Sequence, residues 1–122
     1  MIYIKINDMI YPATVSGKVT DRAWNNRESK SIKLEMDINE IIALFKDGIK
    51  WSIVETGLKS VPSVDENGEV IYIEEEFSNE YNNDEFNVLG DIIIHADGSC
   101  TVTMGKETTE EKLITMIYGG VE

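Results

Sequence analysis

Residues 91–106, DIIIHADGSCTVTMGK, constrain the fold more than any other stretch. Two apolar-rich runs flank a glycine turn, and side chains along a strand alternate with period two, so a slip of one residue exchanges the two faces. A two-residue turn at Asp97-Gly98 pairs His95 with Cys100 and mixes polar with apolar residues on both faces. A three-residue loop, Ala96-Asp97-Gly98, with Gly98 in the left-handed region, shifts the pairing by one. Ile94 then meets Cys100, Ile92 meets Val102, and Gly90 lies near Met104. The other face collects His95 with Ser99, Ile93 with Thr101, and Asp91 with Thr103. This register separates the two kinds of side chain and is the expectation. It predicts Ile92, Ile94, Cys100 and Val102 buried, with His95, Ser99 and Thr101 on the opposite face.

A chemical consequence follows. His95 and Cys100 are the chain's single histidine and single cysteine. On opposite faces they cannot share a proton, and a thiol needs a base in direct contact to become a nucleophile. A zinc site lacks a second Cys or His. No catalytic residue and no metal ligand is assigned, and no cofactor is implied.

The first residues read as another hairpin. Ile2, Ile4 and Ile6 alternate with Tyr3 and Lys5, and Asn7-Asp8 supplies two residues that tolerate positive φ. Ile6 should face Met9, Ile4 should face Tyr11 and Ile2 should face Ala13, with Val15 and Val19 extending the apolar face. Pro12 has no N–H, so its side of the strand should be an edge or a bend. Ile32, Leu34 and Met36 resume the alternation. Asp37 with Glu40 forms a capping box ahead of Ile38, Ile41, Ile42 and Phe45, which have helical spacing, and Asp47-Gly48 ends that helix. Ile49, Trp51 and Ile53 then alternate as a strand, with Trp51 in the core. Thr108 with Glu111 forms a second capping box before Leu113, Ile114, Met116 and Ile117, and Gly119-Gly120 is the stop.

Between Thr56 and Phe86 the pattern weakens to an acidic insertion, with a turn at Asn67-Gly68 and a short strand near 70–73, and the remainder is expected to be a mobile, Asn-rich loop. The chain reads as one domain, 1–122, of α+β class: a mostly antiparallel sheet built from β-hairpins, with two short helices packed on it.

The net charge of −12 is unevenly placed: residues 1–59 carry 9 Lys+Arg against 8 Asp+Glu, and residues 60–122 carry 2 against 15. Such a surface repels phosphate backbones, so direct nucleic-acid binding is not expected, and basic protein partners fit better. Glu74, Glu75, Glu76, Glu80, Asp84 and Glu85 form the densest acidic surface. Solubility alone is the plain reading of that composition. No apolar run approaches the ~18 residues of a membrane span, and the N-terminus lacks the zones of a signal peptide. One cysteine makes no internal disulfide, which suits a reducing compartment. In DRAWNNRESK, Trp24 lies among Arg22, Arg27 and Lys30, residue types that anchor protein interfaces. The other reading has Trp24 folded back to close the core. On the interface reading, Arg27→Ala should leave the melting temperature nearly unchanged.

Three segments, WNNRESKSIKLEM (24–36), ALFKDGIKWSIVE (43–55) and GDIIIHADGSCTVTMGKETTEEKL (90–113), together resemble small proteins encoded among prophage genes of anaerobic Firmicutes, in or near the tail cluster. The resemblance spans most of the chain except 56–86 and transfers no catalytic residue. It implies a bacteriophage origin and a role in the tail or baseplate. The expectation is a non-enzymatic phage protein in the host bacterial cytoplasm, joined to other tail proteins and carried into the virion. The alternative is an acidic phage inhibitor of a basic host protein, of the anti-CRISPR or DNA-mimic type.

Overall fold

Asn7 and Asp8 adopt φ of 52° and 65° and reverse the chain between β1 (Ile2–Ile6) and β2 (Met9–Asp21) in the computed structural model. Ile6 pairs with Met9 and Ile4 with Tyr11, the register expected from the sequence. The structure describes the backbone of residues 1–119 and side chains through Ile114. A short 3-10 turn (Arg22–Trp24) leads into β3 (Arg27–Leu34), followed by α1 (Ile38–Leu44), β4 (Ser52–Val64), β5 (Val70–Asn82), β6 (Val88–Ile94), β7 (Cys100–Gly105) and α2 (Thr109–Gly119). The strands form one antiparallel sheet in the order β5-β4-β1-β2-β3-β7-β6, so the fold is α+β with the sheet dominant.

β2 joins the two halves of that sheet. It pairs with β1 as far as Pro12 and with β3 from Ala13 onward. In a hairpin closed by two residues, alternate pairs exchange hydrogen bonds, so Pro12 falls at a position whose nitrogen faces away from β1. On that other side the β3 ladder begins only at Ala13, and the missing donor breaks no ladder bond.

One face of the sheet is apolar because period two places Ile4 and Ile6, Ile32 and Leu34, and Cys100, Val102 and Met104 on the same side. α1 covers it. Asp37 accepts a hydrogen bond from the Glu40 N–H (2.9 Å), and Ile41 and Phe45 bury against the strands. Ile42 faces outward, 55% exposed, contrary to the expected stripe, because Leu44 shares the inner side of this two-turn helix. Trp51 is buried as expected, but β4 begins one residue later. Its indole N–H donates to the Phe86 carbonyl (2.8 Å), and its ring meets the Phe86 ring edge-on. Val15 packs on the core, whereas Val19 is exposed.

The 91–104 hairpin has the three-residue loop. Ile94 pairs with Cys100 and Ile92 with Val102, and Gly98 has φ of 89°. Two details differ. A bulge between Leu89 and Ile92 puts Leu89, not Gly90, opposite Met104. Ile94 is 60% exposed because β6 is the sheet's edge, and Ser99 is buried in the turn.

The largest correction concerns 56–86. It is no loop for most of its length: β4 and β5 pair without interruption from Ser52↔Asn82 to Val64↔Val70. The turn is held by Asp65, whose carboxylate accepts from the N–H groups of Asn67 and Glu69, with Gly68 at φ of 79°. α2 carries the second capping box, reciprocally bonded between Thr108 and Glu111. Leu113 and Ile114 are more than half exposed, so the start of α2 is not packed down as α1 is. The side chains of Met116 and Ile117, and Gly120, lie outside the described residues.

Candidate functional site

The hairpin register separates the two groups most able to do chemistry. Cys100 is fully buried on the core face, while His95 lies on the other face with Nε2 2.6 Å from Thr101 Oγ1. Asp97 accepts from the Ser99 hydroxyl (2.6 Å) and the Ser99 N–H (2.9 Å), which hold its carboxyl below the usual range. Among the described residues, no three of His, Cys, Asp and Glu gather where they could hold a metal ion. No helix among them is long and apolar enough to cross a membrane.

The four residues of the DRAWNNRESK loop do not form one surface. Asn25 and Asn26, both at positive φ, turn the chain so that Arg27 comes back over Trp24, its guanidinium carbon 4.4 Å from the ring centroid. Arg27 is 4% exposed. It donates to the carbonyls of Trp24 (3.3 Å) and Lys106 (3.0 Å), and pairs with Glu111 at 2.8 Å. That partner holds the Glu111 carboxyl below the usual carboxylate range. Trp24 is half-buried, neither outside nor in the apolar core. Its ring lies on Gly90 and Gly105, where an added Cβ would stand 2.7 Å and 2.8 Å from ring carbons. Lys30 belongs to the other face of β3, bonded to Asn83 Oδ1 and 4.5 Å from the Phe86 ring centroid. Burial lowers its pKa. Arg22 is the exposed member of the four.

A depression of about 690 Å³ lies between this turn and the start of α2, lined by Asn25, Asn26, Glu28, Lys106 and Glu111 among others. Its two cations are already committed: Arg27 to Glu111, and Lys106 to Glu28 and Glu85, the latter two at 3.0 Å. The two carboxylates raise the Lys106 pKa, and Lys106 lowers that of Glu85.

The six acidic residues also separate. Asp84 accepts from the Trp51 N–H (2.9 Å) and closes the base of β4, Glu80 pairs with Lys5 (3.1 Å), and Glu85 pairs with Lys106. Glu74, Glu75 and Glu76 stand exposed on β5, with Glu75 opposite Lys59 and Glu74 opposite Ser60.

Those three belong to a feature the sequence reading missed. β1 accompanies β4 only from Ser52 to Glu55, and the last bonds on that side join Thr56 to Met1: the Thr56 N–H donates to the Met1 carbonyl (2.8 Å) and the Met1 ammonium donates to the Thr56 carbonyl (2.5 Å). From Gly57 outward β4 and β5 continue as an arm that, among the described residues, pairs with no strand but each other. Leu58, Val64, Val70, Ile71, Tyr72 and Ile73 are exposed along it. The signal was the β-branched and aromatic run VIYI, obscured by the three glutamates that follow it, facing LKSVPSV across Asn67-Gly68. A scan of protein-family models, a search of curated proteins and a search of solved structures each gave no match to this chain.

Proposed function

We propose that this chain is a non-enzymatic bacteriophage protein that acts through protein–protein contacts in tail or baseplate assembly, with the β4–β5 arm as its contact element. The observation that carries the reading is the arm itself. It exposes isoleucine, valine and tyrosine beside strand edges whose backbone groups have no neighbouring strand among the described residues. A neighbour that supplies a strand or an apolar seat satisfies those groups and removes the side chains from water in one step. Glu66, Glu69, Glu74, Glu75 and Glu76 surround the apolar residues, so the seat should carry a basic rim. The resemblance to prophage tail-region proteins directs the choice among assemblies toward the virion, reached from the host cytoplasm where the chain is made.

A second reading, an inhibitor of a basic host protein of the anti-CRISPR or DNA-mimic type, is favoured by one observation. Glu74 and Glu76 share a face of a regular strand, about 7 Å apart. Carboxylates so fixed need little ordering on binding. The array is short, however: Glu75 points to the other face, and Glu80 is neutralised by Lys5. Purified phage particles and host nucleases separate the two readings. The assembly role expects the chain in particles and no inhibition of nucleases. Absence from particles, with salt-sensitive inhibition lost when Glu74, Glu75 and Glu76 become Gln, reverses the order.

A further inference from the structure

The sheet has two open edges with opposite chemistry. β5 presents Glu74, Glu75 and Glu76 at one end of the strand order, and an antiparallel copy of β5 centred there would set Glu74 against Glu76 and Glu75 against itself. Like charges directly opposed guard that edge against a second copy. β6, at the other end, has no lysine, no glutamate and no proline. Its last residues are Ile92, Ile93 and Ile94, the latter two more than half exposed.

We propose that the β6 edge is a self-association site, at which two copies of this chain pair their β6 strands antiparallel about Ile93. The hydrogen-bond phase selects that register. The His95 N–H donates to the Ser99 carbonyl, and the His95 carbonyl accepts from the Gly98 N–H, so both its backbone groups are used toward β7. By the alternation of an antiparallel ladder, Ile93 also bonds toward β7, and the N–H and C=O of Ile92 and Ile94 face the open edge. Two such edges exchange all of these bonds only when Ile92 of each copy opposes Ile94 of the other, which puts Ile93 on the twofold axis.

The side chains fit the same register. On the core-side face, Ile92 and Ile94 of one copy pack on Ile94 and Ile92 of the other. On the opposite face, Ile93 meets its own copy, flanked at each end by Asp91 of one chain against His95 of the other. An opposite-charge or hydrogen-bonded cross-strand pair forms twice by symmetry, and no like charges meet. The interface is isologous, so it closes at a dimer. The bulge at Gly90–Asp91 bends the strand and limits the ladder to 91–95. An interface this short is well below the ~800 Å² per partner of a standard complex and should be a weak one. The site stands apart from the arm and does not depend on the assembly role.

Sedimentation of the full chain from about 5 to 500 µM, a range suited to weak interfaces of this size, tests it. A monomer–dimer equilibrium is expected, with amide exchange at Ile92 and Ile94 slowing as concentration rises. Ile93→Lys, on the exposed face away from the core, should abolish dimerisation while leaving the circular dichroism spectrum unchanged. His95→Asp sets acid against Asp91 and should weaken the dimer at least about tenfold, and adding Asp91→Lys should restore it. If Ile93→Lys fails to fold, the His95→Asp and restored pair decide the matter. A monomer throughout the range, a dimer indifferent to these changes, or growth beyond a dimer would each overturn the proposal.

Discussion

Arg27 lies over Trp24 with its guanidinium carbon 4.4 Å from the ring centroid, and its charge is met by Glu111 from the start of α2 at 2.8 Å. One buried cation thus ties the β2–β3 turn to the β6–β7 sheet edge and to the C-terminal helix. Arg27→Ala removes the stack and leaves the Lys106 and Trp24 carbonyls short of a donor. A loss of about 2–4 kcal/mol is expected in chemical denaturation, somewhat below the ~3–5 kcal/mol for breaking a fully buried pair because the Glu111 side chain is 41% exposed. This reverses the expectation, drawn from the sequence, of an unchanged melting temperature. A wild-type melting temperature for Arg27→Ala would show the stack to be dispensable.

The same pair has a pH signature. Its partner depresses the folded-state pKa of Glu111, so the associated stability is complete above the unfolded value near 4.5 and is lost as pH falls through the lower folded value. The Glu111 side chain is 41% exposed, so solvent screening keeps the effect modest. Wild type should therefore lose more melting temperature than Glu111→Gln as pH falls from about 5 to 3, a window set by that depressed pKa. Parallel curves would contradict it.

Gly105 shows why the tryptophan can sit where it does. A Cβ at this position would stand 2.6 Å from Arg27 Cδ and 2.8 Å from the Trp24 ring. Gly105→Ala should displace the ring and destabilise by about 1–3 kcal/mol, typical of overpacking. Trp24 emission should shift toward that of a solvated indole, read in a Trp51→Phe background.

Cys100 has no exposed surface. Its reaction with a thiol reagent at neutral pH should be slow and accelerate in step with global unfolding as denaturant is added. Fast labelling of the native chain would mean that the β7 strand opens locally.

Period two and turn chemistry made most of the core legible. Asn7-Asp8 and Gly98 set two registers, and the inward set of Ile4, Ile6, Cys100 and Val102 follows from them. What escaped was non-local. Nothing near Arg27 in sequence announces that Glu111, far along the chain, will bury its charge, or that Gly90 and Gly105 will lie under Trp24. The arm escaped for a different reason. Glu74, Glu75 and Glu76 lower its apparent strand character because both faces are wet, so hydrophobic alternation, which reports burial on one side, carries little signal there.

The arm is the centre of the functional account, and its removal from function without loss of fold is the most direct measurement. Ile71→Asp with Ile73→Asp changes exposed residues beyond the β1–β4 ladder, so the spectrum and melting temperature should stay close to wild type. Quantitative mass spectrometry of purified particles, from phage carrying either version, then counts copies per particle. The wild-type chain should be incorporated and the arm variant should not. A folded arm variant present at wild-type copy number, or a wild-type chain missing from particles, would contradict it.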